Sequence, residues 1–252
     1  MDRRAKLSIG AGEALVTLGV VVVLFCVYQL AWTNLQASAA TESATSDLRA
    51  QWAADEPDPE PERIPPGQPL ILPTPSPPPA PPPPPPPPAP PPVPAGAFAF
   101  MHIPRLGDGW YRPIVQGVRD SDLNKGLGHY KKTAMPGEIG NFAVAGHRAT
   151  NGEPFRDLDK LRKGDVVVVE TKKTWYTYRM QSSQIVSPNQ SEVLLPVPGQ
   201  PGAAPDQARI TLTTCHPRWA STQRLIWFGS LVRSQPKAAG APAGITPAAT
   251  GG

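Results

Sequence analysis

The chain has 252 residues and a mass of 26.8 kDa, room for one or two domains. Of its 36 prolines, 23 fall between Pro57 and Pro94, a density that no packed domain tolerates. Setting aside that block, the first 56 residues and a tail of Ala, Gly and Pro leaves one domain, residues 97–234, and excludes a two-domain enzyme, a long coiled coil and, with two cysteines, a disulfide scaffold.

Near the N-terminus, Ala14–Trp32 (ALVTLGVVVVLFCVYQLAW) carries no charge. At about 1.5 Å per residue it nearly matches a hydrocarbon core about 30 Å thick. Arg3, Arg4 and Lys6 precede it, and the next basic residue is Arg49. The positive-inside bias therefore puts residues 1–13 in the cytoplasm and everything after Trp32 outside. Tyr28 and Trp32 stand at the outer end, where amphipathic rings prefer the interface. Ala37-Ser38-Ala39 fits a signal-peptide cleavage site, but the apolar run is longer than a signal's usual core, which favours an uncleaved single-pass anchor over 14–32. On either reading the domain is exported.

Residues 33–96 read as a linker, acidic and then proline-rich. Seven acids and two bases lie between 41 and 66, and 78–92 is almost pure proline. Such a run adopts polyproline II, because each ring fixes φ and the helix needs no internal hydrogen bonds. The expectation is a semi-rigid spacer that holds the domain off the membrane, toward a cell wall. A docking site for proline-binding modules is the alternative. Residues 235–252 read as a disordered tail.

The domain alternates with period two. Ala97–Ile103, Trp110–Val115, Asn141–Gly146, Val166–Val169, Thr174–Met180, Arg209–Thr214 and Leu225–Val232 read as strands, and Asp120–Gly126 and Pro154–Leu161 as short helices. Seven or eight short strands with one or two short helices suggest an all-β fold closed into a barrel. The domain holds 18 Lys and Arg against 11 Asp and Glu. The plain reading is a solvated basic face, although such a face could also meet nucleic acid, anionic lipid or acidic wall polymer.

Cys26 lies in the apolar run and Cys215 far outside it, so no intramolecular disulfide is expected and an exported chain keeps an unpaired thiol. Cys215 ends the strand RITLTT, directly before His216-Pro217, at the rim of the sheet, where functional groups sit on loops held by a scaffold. A buried small hydrophobe is the ordinary fate of a free cysteine, but this one abuts a turn. A thiol nucleophile acts as the thiolate and needs a histidine nearby. His147 ends the strand NFAVAG in the same manner. His129 lies in the loop Gly-Leu-Gly-His-Tyr and could line a cleft. His216 is the sequence neighbour, but neighbours on an extended chain point to opposite faces. His102 alternates with Phe98 and Phe100 and reads as a core or edge histidine. Acyl transfer also needs a donor where the oxyanion develops. Arg224 returns close to Cys215 if the last two strands pair antiparallel; Arg218 and Arg148 are its rivals. The sequence carries no Cys-x-x-Cys, His-Glu-x-x-His or EF-hand loop, and no Gly-x-Ser-x-Gly, so neither a metal site, nor any other cofactor, nor a serine triad is expected.

Thr211-Leu212-Thr213-Thr214-Cys215, of the form T-L-x-T-C, with His147 in Ala-Gly-His-Arg before it and Arg224 after it, resembles the sortases, the cysteine transpeptidases of Gram-positive envelopes. The resemblance covers residues 97–234. The continuation Cys-His-Pro-Arg (215–218), the short step from Cys215 to Arg224 and the stretch Gly126–Gly146 look most like class E of the high-GC actinobacteria, with class D the near alternative. The resemblance implies an eight-stranded barrel and thioester chemistry. Cys215 would attack between Thr and Gly of an LPxTG-type or, in class E, LAxTG-type sorting signal. Arg224 would stabilise the oxyanion or hold the substrate, and His147 would be general acid and then base. The acyl group would pass from a secreted protein to a peptidoglycan-precursor amine, with no nucleic acid involved. Thr214 could position substrate or merely pair in the sheet. The rivals are an exported hydrolytic cysteine peptidase with the same residues, and a non-catalytic wall-binding domain on a proline stalk. An L,D-transpeptidase would need a Ser-His-Gly-Cys context that is absent.

Overall fold

A computed structural model describes residues 3–54 and 96–248; the proline-rich block lies outside the described residues. Helix α1 runs unbroken over Arg3–Ala54. Its first part is long and apolar enough to cross a membrane, and Leu15, Val21, Phe25 and Trp32 all face outward. The sequence reading starts a linker at residue 33; the helix instead continues to Ala54. Residues 33–54 contain neither Pro nor Gly and are rich in Ala, so nothing local stops the helix. They also carry an apolar stripe at helical spacing, Ala37, Ala44, Leu48 and Trp52.

Eight strands come after it: β1 (Ala97–His102), β2 (Tyr111–Gln116), β3 (Leu127–His129), β4 (Gly140–Ala145), β5 (Val166–Glu170), β6 (Thr174–Val186), β7 (Ala208–His216) and β8 (Gln223–Pro236). They close into a barrel in the order β1-β2-β3-β4-β7-β8-β6-β5. The pairs β2–β3 and β4–β7 are parallel and the remaining neighbours antiparallel. One face of each strand fills the interior, with Met101, Ile114, Phe142, Val144, Ile210, Leu212 and Trp227 in a single core. A second cluster lies outside the barrel wall, where Ala44 and Leu48 of α1 cover Ala97, Phe100 and Val115. Trp52 meets the Phe100 ring edge-on at 5.4 Å, and Arg49 donates from Nη2 to the Tyr111 hydroxyl at 2.6 Å.

The strands read from the sequence are all present, with three differences. The loop Gly-Leu-Gly-His contains β3, whose Gly128 lets the backbone approach the Gly117 carbonyl so closely that a Cβ would collide with it. The strand read over Thr174–Met180 runs on to Val186, because Gln181–Gln184 are exposed on the sheet and carry no alternation to detect. Pro154–Leu161 forms only a 3-10 turn at Leu158–Lys160, whereas helix α2 stands at Asp120–Leu123. The tail also holds more order than its composition suggests. β8 reaches Pro236, Lys237 Nζ lies 2.6 Å from Glu170 Oε1, and Ala248 is buried. Burial would raise the Glu170 carboxyl above its ordinary value, but His102, 2.8 Å away, and Lys237 outweigh it and hold the group low. His102 is thus a buried partner of Glu170, as the alternation implied.

The parallel strands β4 and β7 point the same way, so Ala145 and His216 finish at one rim of the barrel. The end of the packed part of α1 nearest the apolar run lies at that rim, where the Gly152 backbone N–H donates to Asn34 Oδ1 at 3.2 Å. Trp52 lies at the opposite end, with Lys237 Nζ 4.3 Å from its ring centre.

Candidate active site

Ile210 and Leu212 of β7 point into the core, so Thr211, Thr213 and Cys215 point outward. In β4, Phe142 and Val144 point inward, which turns Ala143, Ala145 and, two residues past the strand, His147 outward. In β8, Leu225 and Trp227 point inward and Arg224 outward. Ala145 pairs with Thr213, and the Gly146 N–H donates to the Thr213 carbonyl at 3.1 Å. Carrying that register on sets His147 level with Cys215 on a strand about 4.8 Å away. On the other side Cys215 pairs directly with Arg224. His147, Cys215 and Arg224 therefore stand abreast on three neighbouring chains, on the outer face, at the upper rim. Cys215 and His147 are both half-buried.

The surroundings fix each group. Asn151 Nδ2 donates to His147 Nε2 at 3.3 Å, from a left-handed backbone (φ 54°) that asparagine tolerates. Burial pushes the His147 imidazole below its ordinary value of 6.5, and the charge of Asp120 opposes this. Arg224 donates through Nη1 to the carbonyls of Ser221 and Gln223, both at 2.9 Å. Its guanidinium thereby lies against the loop that comes after Cys215. Arg148, a rival in the sequence, points inward and is only 5% exposed. Its Nη1 donates to the Cys215 carbonyl at 3.2 Å and to His216 Nδ1 at 3.0 Å, and Nη2 pairs with Asp159 at 3.1 Å. His216 consequently serves Arg148, on the face away from the thiol. Arg218 is occupied by Glu153 at 2.7 Å, a bridge between the two rim loops.

Two expected substrate residues sit elsewhere. Thr214 is buried and donates to the Gly146 carbonyl at 2.8 Å, tying β7 to the exit of β4. His129, expected to line the cleft, is buried instead, with Nδ1 at 3.0 Å from Gln116 Oε1 and Nε2 at 3.0 Å from both the Ala134 carbonyl and Thr133 Oγ1. It holds the β3–β4 loop, and burial lowers its pKa. Its neighbour Tyr130, not singled out in the sequence, reaches the cleft: its hydroxyl lies 3.3 Å from Thr213 Oγ1, two residues from the thiol. Ala143, Ala145, Thr211 and Thr213, all small, are buried on this outer face. Beyond Tyr130 a groove of about 560 Å³ opens between Thr133 and Leu194. Asn141 Nδ2 secures the β6–β7 wall by donating to the Val193 and Leu195 carbonyls, both at 3.1 Å.

The arrangement is that of a thiol with an imidazole on one side and a guanidinium on the other, at the rim of the barrel. The sortase-domain family model matches residues 101–232. The chain belongs to the sortase family. It is 38% identical over 239 residues to sortase SrtE1 of Streptomyces coelicolor, covering 92% of this chain and 59% of that protein. It therefore spans about three fifths of that relative. Sortase SrtE2 of the same organism is 34% identical over 89% of this chain and 81% of its own length. A crystal structure of sortase E1 from Streptomyces coelicolor with a tripeptide in its active site superposes with a TM-score of 0.55 at 42% identity, over 59% of this chain and 95% of that one. These relatives agree with the class E reading of the sortase motifs, and the eight-stranded barrel is the expected fold.

Proposed function

We infer that this sortase is a membrane-anchored cysteine transpeptidase that cuts an LAxTG- or LPxTG-type sorting signal between Thr and Gly and passes the acyl group to a peptidoglycan-precursor amine. The observation that carries the reading is the row His147–Cys215–Arg224 on the outer face of adjacent strands. The tripeptide held by the similar sortase E1 supports a peptide in the equivalent cleft. The Cys215 thiolate attacks the threonine carbonyl carbon and the carbon–oxygen π pair moves to oxygen. Arg224 meets that oxyanion with a fixed positive charge. As the tetrahedral centre collapses, the C–N bond breaks and His147 gives its proton to the departing glycine amine, leaving a thioester on Cys215. The incoming amine attacks the thioester, loses its proton to the neutral imidazole, and releases the thiolate.

The assigned layout is residues 1–13 in the cytoplasm, 14–32 across the membrane, and the catalytic domain outside in the cell envelope. The deciding experiment incubates the full chain in detergent with an LAxTG or LPxTG peptide, with and without triglycine, and weighs the products. A product joined to triglycine, absent in Cys215→Ala, is expected. Cleavage without joining would turn the reading toward a hydrolase. No acyl-enzyme with either peptide would refute it.

A further inference from the structure

We propose that the active-site rim lies against the lipid surface, with Trp219 of the β7–β8 loop seated among the headgroups. This inference rests on the membrane-anchor reading above. Three observations lead to it. First, α1 fixes the direction. The packed part of the helix begins at Asn34, two residues after Trp32 closes the apolar run, which is about 3 Å along the axis. Asn34 accepts a hydrogen bond from Gly152, in the loop between β4 and β5 that also carries His147. That loop is therefore level with the outer end of the apolar run, at headgroup height. Trp52 and Lys237, at the other end of the barrel, stand about 27 Å farther along the helix.

Second, the linker does not set this height. Gln51 near the end of α1 and Gly96 at the start of β1 line the same small cavity. The helix packed on the barrel from Asn34 to Trp52 therefore governs the distance to the membrane. The spacer expected from the proline run applies only to a barrel released from α1.

Third, the rim carries what an interface needs. Trp219 is 69% exposed, beside the guanidinium of Arg218 at 4.7 Å. Arg218 is bonded to Glu153, next to the Gly152 that α1 holds. Tryptophan with an adjacent arginine suits the boundary between headgroups and acyl chains. The two rim loops, residues 147–163 and 215–224, hold seven Arg and Lys against three Asp and Glu, an excess that favours an anionic leaflet. A cysteine at this height meets substrates that are themselves held at the membrane.

The test uses the full chain with Cys26→Ala and Cys215→Ala, in bilayers of phosphatidylcholine and phosphatidylglycerol. Single cysteines carrying a nitroxide replace Val20, Trp219 or Lys173, and their access to oxygen and to a water-soluble nickel chelate is measured. Position 20 is expected in the lipid, 219 at headgroup depth and 173 in water. If 20 is in the lipid and 219 is as exposed to the chelate as 173, the proposal is overturned while the anchor stands. If 20 itself is in water, the anchor reading fails, and this one with it. A parallel measurement on Trp219→Ala with Cys215 intact, in detergent with soluble peptide, should leave kcat/KM within about two-fold of the parent. A several-fold rise in KM would make Trp219 part of the peptide site and overturn the proposal by that route.

Discussion

Replacing Arg148 by methionine tests whether Cys215 is held from behind. The guanidinium is buried and makes two close hydrogen bonds, to the Cys215 carbonyl and to His216 Nδ1. Charge-assisted bonds contribute about 1.5–3 kcal/mol each, and removing the donor leaves both acceptors unsatisfied. The pair with Asp159, whose side chain is 56% exposed, adds at most about 0.5 kcal/mol after solvent screening. Methionine keeps most of the apolar contact of the arginine stem. The expected loss is about 4 kcal/mol, which in a domain of this size lowers Tm by about 8–16 °C. Release of the Cys215 backbone should also lower kcat for peptide transfer roughly 10–100-fold, since a shift of about 1 Å in a reacting group costs on that order. Scanning calorimetry and steady-state kinetics on the full chain in detergent measure both. Arg148→Lys should recover part of the stability, but not the forked geometry that reaches two acceptors. A Tm within about 2 °C of the parent and unchanged kcat would refute the reasoning, because neither bond would then hold anything.

His147→Ala and Arg224→Ala should each lower transfer by orders of magnitude, with His216→Ala milder; equal losses at His147 and His216 in a peptide-transfer assay would reverse the assignment of the acid and base. His147 and His129 both have depressed pKa values in the folded chain through burial. The unfolded chain takes up these protons near pH 6.5, so the stability they contribute is present above that pH and is lost as the pH falls toward their lower folded values. Melting curves between pH 7.5 and 5 should show the decline, and His129→Gln should reduce it. In Gly146→Ala the added methyl would lie 2.6 Å from the Phe155 ring and 2.8 Å from Leu127. It should lower stability by about 1–3 kcal/mol in chemical denaturation and weaken transfer by displacing His147. Leu48→Ala empties a buried site between α1 and the barrel and should cost about 2–3 kcal/mol, read by the same method.

The sequence made the row His147–Cys215–Arg224 legible as a juxtaposition because strand ends announce themselves: Cys215 before His-Pro and His147 after Ala-Gly are both residues at which an apolar strand stops. The barrel was legible wherever one face of a strand is buried. It was not legible in β3, three residues long with a glycine at its centre, nor in the exposed half of β6. His129 misled because a histidine between glycines looks like a loop residue, while its burial depends on Gln116 and Thr133, which only the β2–β3 and β3–β4 contacts bring to it. Arg148 is visible in the sequence only as a rival of Arg224 and Tyr130 not at all; each acquires its place from β7, more than 65 residues away. The helical stretch after Trp32 was hidden by the proline block beyond it, since composition averaged over a window merges two segments that differ in what they can pack against.

The parallel ladder between β4 and β7 spaces the chemistry in whole residues. A sheet can slip only by complete steps, and one step would turn His147 inward and bring Arg148 out beside Cys215. The spacing between His147 and Cys215 therefore has no gradual failure. The loops that wall the cleft are under no such quantisation. The β6–β7 connection, residues 187–207, can lengthen, shorten or change its side chains and thereby reshape the groove it lines, while the row on β4, β7 and β8 keeps one setting.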